Sequence, residues 1–267
     1  MHPDPLEILY DYADPRDQEI AGLIAACLAY GRVAQILAST RKVLGRLGRP
    51  TSFLRRSKPR EIFDLFAEFK HRFSTGEEIS SLLVGIKRSL ETHGSLEQLF
   101  AAGLGRSDDS ILPALARFVE RLRDLAGGPD ACASLLSSPR DGSACKRLNL
   151  YLRWMVRRDD VDPGPWAGVS PALLVVPLDT HLFRIAGGIG LTRRRQPNLK
   201  TAVEVTKKFA ELCPDDPVRY DFSLTRLAIN PVISRVSELS GVRARKVASS
   251  PTTSAKRPRA LSSWLGK

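Results

Sequence analysis

Apolar positions along the chain recur mainly at helical spacing. Over residues 15–30, Ile20, Leu23, Ile24, Cys27 and Leu28 fall on one face, which predicts an amphipathic helix. The period resumes over residues 33–47 after Gly31, and Gly48 and Pro50 are expected to stop it. Segments of the same kind run over residues 5–12, 60–69, 76–92, 95–102 and 110–125. A second group covers 130–136, 143–157, 180–187, 199–212 and 216–228. The only other regular candidate is the short apolar run 173–176, too brief to establish strand alternation. An all-α protein is therefore expected, and no internal repeat is visible. Residues 1–240 should form the folded part. From 241 onward Ser, Thr, Pro, Lys and Arg displace apolar residues, so 241–267 is expected to be a disordered basic tail.

Composition changes this picture little. A chain of 267 residues with 43% hydrophobic content can bury a sizeable core. No apolar run reaches the roughly 18 residues that would suggest a membrane span. No basic region followed by an apolar stretch opens the chain, so no leader is expected and the cytoplasm is the simplest location. Cys27, Cys132, Cys145 and Cys213 are widely spaced, which argues against zinc or an iron–sulfur cluster; no metal and no cofactor is expected.

Charge is more informative. The net charge is +12, and the tail holds seven Lys or Arg with no acid. A basic protein attracts polyanions, nucleic acid first among them. The tail cluster at 256–259 could add phosphate affinity or simply be solvated. The apolar end at 261–265, with Trp264, could dock weakly on a protein partner.

The chemistry concentrates between residues 135 and 190. Pro139 and Gly142 mark a tight turn between two helical stretches, with Gly142 free to take a positive φ. The N–H groups of Ser143 and Ala144 and of the helical turn that follows can cradle a phosphate, although plain helix–turn–helix packing would read the same way. Lys146 falls just inside the second helix. The helix dipole and adjacent Arg147 favour its neutral amine, a nucleophile toward a sugar C1′; a surface lysine is the plain alternative. Further on, Asp179 stands directly before a helical pattern. It suits an N-cap, and a cap carboxylate facing a cleft could also stabilise cationic character on a sugar or relay a proton. His181, two residues on, could reach a phosphate or be purely structural.

The segment Pro139-Arg-Asp-Gly-Ser-Ala-Cys-Lys146 resembles the hairpin of the helix–hairpin–helix DNA glycosylases, where a glycine precedes the Schiff-base lysine by four residues. Leu178-Asp-Thr-His-Leu-Phe-Arg184 resembles the catalytic-aspartate segment of endonuclease III. The separation of Lys146 from Asp179 is more similar to the archaeal 8-oxoguanine glycosylase branch. The chain to about residue 230 also resembles a largely uncharacterised bacterial branch, through Lys146-Arg-Leu-Asn-Leu-Tyr-Leu-Arg-Trp-Met-Val-Arg157 and Asp160-Val-Asp-Pro-Gly-Pro-Trp166. Ile24-Ala-Ala-Cys-Leu-Ala-Tyr-Gly-Arg-Val-Ala-Gln35 is similar to the helix pair that approaches the flipped base. The pattern departs from the family at Ala144, where a second glycine is usual, at Leu150, where an aromatic residue or cysteine often meets the base, and in having no cysteine cluster after residue 213.

This resemblance implies two helical subdomains with a helix–hairpin–helix motif at about 136–150 and a cleft between them. It implies Lys146 and Asp179 as catalytic residues, with Gly142, Ser143, Ala144, Arg147 and His181 on DNA. Tyr30, Arg32, Gln35 and Leu150 become pocket or wedge candidates, with core and helix-end positions the competing reading of the first three; Tyr151, Trp154 and Trp166 are candidate stacking surfaces, although Tyr151 and Trp154 read more readily as core or rim of their helix. The expected partner is double-stranded DNA with a damaged base, bound by a monomer, and 8-oxoguanine is the preferred lesion. The implied activity is base excision with strand cleavage through the lysine. Alternatives are a monofunctional glycosylase for another lesion, a non-catalytic DNA-binding module of the same fold, or a helical RNA-binding or protein-interaction scaffold.

Overall fold

Helix α1 (Pro15–Cys27) is buried on every side from Ile20 to its end, which sets the plan of the molecule. The one-faced pattern read from sequence understates this. Ala21, Ala25 and Ala26 lie off that face and are buried too, because small side chains let neighbours close in. A 3-10 helix (Pro5–Asp11), α2 (Val33–Leu47), α3 (Pro50–Arg56), α6 (Leu96–Ala101) and α8 (Lys146–Val156) all pack against α1. The computed structural model describes residues 4–229. The expected tail, its basic cluster and its apolar end lie outside the described residues.

Buried carboxylates on α1 hold this arrangement. Asp17 accepts the Thr51 N–H at 2.7 Å, satisfying one orphan donor of α3. Glu19 accepts the N–H groups of Leu96 and Glu97, at 3.1 and 3.0 Å, and the Trp166 indole N–H at 3.0 Å. Burial still pushes its carboxyl above the ordinary range, against those three donors. Trp166 is thus a core residue and offers no stacking surface, and the same holds for the fully buried Tyr151 and Trp154.

Around this centre run α4 (Pro59–Phe66), a two-stranded antiparallel hairpin of β1 (Lys70–His71) and β2 (Ser74–Thr75), α5 (Gly76–His93) and α7 (Leu112–Ala126). After α8 come α9 (Thr180–Gly188), α10 (Leu199–Ala210) and α11 (Asp221–Ile229). The described part is therefore mostly helical, and nearly all of its buried apolar residues form one connected cluster. No helix among the described residues is long and apolar enough to cross a membrane.

Several expected elements are corrected. Pro50, read as a stop, occupies the first turn of α3, where a missing N–H costs nothing. The helix expected over 60–69 ends at Phe66, where the chain turns into the hairpin. Residues 129–135 form turns and not a helix; Pro129 follows two glycines, and Cys132 has φ +48°. Residues 174–178 are buried and belong to no strand. A 3-10 turn (Pro171–Leu173) precedes them, and the Thr206 hydroxyl of α10 accepts the Val176 N–H at 3.1 Å. The last helix starts at Asp221, five residues later than its apolar pattern suggests.

Candidate functional site

Lys146 is the first residue of α8, and the turn before it is held by specific contacts. Gly142 has φ +69°, as a left-handed turn requires, and a Cβ there would meet nothing within 4 Å. Backbone conformation, not crowding by the chain, is what calls for glycine. Cys145 also takes a left-handed conformation at φ +46°. Its N–H donates to Ser143 Oγ at 3.2 Å, and the buried Asn149 side chain donates to the Ala144 carbonyl at 3.0 Å. Among the described residues, the backbone N–H groups of Ser143, Ala144, Lys146 and Arg147 have no acceptor.

Asp179 caps α9 from the other side. Its Oδ1 accepts the Leu182 N–H at 2.7 Å, so the cap reading holds. Its Oδ2 lies 3.9 Å from Lys146 Nζ, with the lysine side chain 43% and the aspartate 18% exposed. At that distance the two make a loose ion pair and no hydrogen bond. One oxygen serves the helix while the other faces the amine.

Both groups line an open depression of about 550 Å3. Gly142, Ser143, Ala144, Arg147 and Tyr30 line it as well, so six of the sequence-derived site residues besides Asp179 converge there. The remaining ones do not. Arg32, the residue before α2, and Gln35 in its first turn are exposed, Leu150 packs partly against the core, and His181 is half-buried one residue beyond the rim. None of the four lines the depression.

Two roles change. Arg147, expected on DNA, donates to the carbonyls of Cys27 and Ser134, each at 2.6 Å, and its guanidinium lies 5.3 Å from the Tyr30 ring centre. It binds α8 to the carbonyl end of α1, a favourable place for a cation, through two of its five N–H donors. Tyr30 is tethered as well. Its hydroxyl reaches the His71 carbonyl at 2.8 Å and Ser74 Oγ at 2.7 Å, so it leaves α1 to anchor the β-hairpin and presents a fixed edge to the depression.

Sequence reasoning missed Thr180, Pro197 and Asn198, which complete the rim, and the exposed Arg193 and Arg195 just before them. The run Arg193-Arg194-Arg195 was the available signal. It also missed Asn149, whose type and position, a buried amide one turn into the helix, mark a support for the turn. Arg194 is paired with Glu204 at 2.5 Å. Among the described residues no group of three or more His, Cys, Asp or Glu could hold a metal. Cys27 and Cys132 are buried thiols pushed up to about 12, chiefly by desolvation, and have no nucleophilic use here.

A family model described as a protein of unknown function (DUF2400) matches residues 4–230. The chain belongs to the DUF2400 family. The match spans Lys146, Asp179 and every wall of the depression, so the whole site lies within the DUF2400 region. No curated protein and no solved structure matches the chain.

Proposed function

We propose that this chain is a base-excision DNA glycosylase with strand-cleaving activity, Lys146 acting as nucleophile and Asp179 as its carboxylate partner. The observation that carries the reading is the 3.9 Å approach of the two groups, from the first turns of two different helices, in one open depression. In this reading the turn over residues 138–145 serves as the hairpin of a helix–hairpin–helix motif whose leading helix is reduced to turns. The depression serves as the cleft between two helical subdomains.

The unpaired N–H groups at Ser143 and Ala144 suit a phosphate oxygen, and Arg193 and Arg195 are exposed in the segment that leads to the rim residues Pro197 and Asn198. Base chemistry in duplex DNA requires the nucleotide to leave the stack. With C1′ in the depression, Lys146 gives up a proton, for which the Asp179 Oδ2 is the nearest carboxylate oxygen. The amine lone pair forms a bond to C1′, and the base departs with the electrons of the glycosidic bond and takes a proton. A proton passes from the nitrogen to O4′ as the nitrogen lone pair forms the C=N bond and the C1′–O4′ bond breaks, which leaves a protonated imine and an open sugar. Loss of a C2′ proton expels the 3′ phosphate. Oxidised purine, 8-oxoguanine in particular, is the preferred substrate on the strength of the sequence resemblance.

The test is incubation with an 8-oxoguanine duplex and borohydride, which reduces the imine to a stable crosslink. A covalent adduct is expected from the native chain and none from Lys146→Gln. Base release without an adduct would replace this reading with a monofunctional glycosylase. Tight binding with neither would leave a DNA-binding module.

A further inference from the structure

Phe73 is 78% exposed, more than any other large apolar side chain among the described residues. It sits at the tip of the β1–β2 hairpin, where only Arg72 and Phe73 separate the paired His71 and Ser74. A single exposed apolar side chain is common on protein surfaces, so the case for this ring rests on where the hairpin holds it and on what stands beside it. The tip is also rigidly placed. Arg72 takes φ +53°, a left-handed conformation that disfavours arginine. Around it, His71 Nδ1 meets Ser39 Oγ at 2.8 Å and its ring packs edge-on to Tyr30 at 4.8 Å. Ser74 and the His71 carbonyl hold the Tyr30 hydroxyl. Tyr30 lines the depression, so one side chain connects the hairpin to the Lys146–Asp179 site.

The charges beside the ring fit a polyanion. The Arg72 guanidinium lies 5.6 Å from the Phe73 ring centre, and its Nη1 would stand 2.7 Å from a Cβ at Gly31, so it lies across the chain next to exposed Arg32. Lys70 is exposed on β1. An aromatic ring beside a guanidinium, held on a hairpin anchored by a tyrosine that lines the pocket, suits insertion into a base stack.

We propose that Phe73 is the wedge that fills the gap in duplex DNA when a nucleotide occupies the depression, with Arg72 on the adjoining phosphate. This rests on the DNA reading of the site but not on its lyase chemistry. It places the inserting ring on the hairpin and leaves Tyr30, whose hydroxyl is engaged by His71 and Ser74, as the side chain that joins the hairpin to the depression.

The experiment uses the full chain and two duplexes of one sequence, intact or carrying a stable tetrahydrofuran abasic site, with 2-aminopurine beside the gap. The native chain should bind the abasic duplex at least tenfold more tightly than the intact one and brighten the 2-aminopurine as its stacking is disturbed. Phe73→Ala should bring the preference to within about twofold and remove the brightening. Phe73→Trp should restore the preference, with its own fluorescence quenched on the abasic duplex only. A native chain without abasic preference, or a Phe73→Ala protein that keeps it, overturns the wedge. Loss of preference in Phe73→Ala alongside a failed borohydride crosslink in the native chain would keep the wedge and discard the lyase.

Discussion

Helix α8 carries charged side chains at both ends, and the two ends are built in opposite ways. At its carboxyl end Arg153 is 4% and Arg157 6% exposed. Arg153 donates twice to Asp162 Oδ2, at 3.0 Å each, and pairs with Asp221 at 2.8 Å. Arg157 meets the same Asp162 oxygen and also Asp216 and Asp159, at 3.0 and 2.8 Å. At its amino end Lys146 has one partner, at 3.9 Å, and is nearly half in solvent. Buried charges must be paired and hydrogen-bonded to survive desolvation, so the first cluster can only be structural. It ties α8 to the loop that doubles back along it and to α11, which packs on α9 and so supports the helix that Asp179 caps. The second pair leaves both groups with reach to spare. Contact number and exposure, more than residue type, separate a brace from a site.

Substitutions at each end can break that contrast. Asp179→Asn should lower turnover by about 10²–10⁴-fold, the usual range for removing a proton-transfer group. Asn caps helices as well as Asp, so stability should stay within about 0.5 kcal/mol. A parallel fall in melting temperature and turnover would mean that the carboxylate matters only as a cap. Next in size, Asp162→Ala should cost about 3–5 kcal/mol in denaturant unfolding, since two buried guanidinium groups lose their shared carboxylate. A loss under 1 kcal/mol would show that the network is wet and slack.

The smallest effect sharpens the comparison through pH. Burial pushes the Asp221 carboxyl up to about 6 against the pull of Arg153. The folded chain then holds a proton that the unfolded chain has released from about pH 4 upward. The contribution of Asp221 to stability falls as pH rises from about 4 to 6 and levels off above, by up to about 3 kcal/mol. The melting temperature of the native chain relative to Asp221→Asn should show that decline. A difference that is flat or rises over this window would contradict the placement of Asp221.

Local signals carried much of the helical plan. The bounds of α2 follow its apolar period, and α5, α6 and α9 lie within a residue or two of the stretches bounded by their caps. What failed depended on tertiary context. Pro50 could not be told from a helix stop without knowing that Asp17 would satisfy the Thr51 N–H. The hairpin at 70–75 has no Gly at its turn, and its left-handed residue is Arg72, held there by His71 and Tyr30. The meeting of Lys146 and Asp179 was an expectation from motif order, and the structure places them together. Arg147 shows what a local reading omits, because the carbonyls that engage it come from residues 27 and 134.

The most direct test is chemical mapping of the nucleophile. A borohydride-reduced complex with an 8-oxoguanine duplex would be digested with nuclease and protease and its peptides weighed. The sugar-derived mass is predicted on the peptide bearing Lys146, and only there. The same mass on another lysine or on the N-terminal amine, with Lys146 unmodified, would contradict the account.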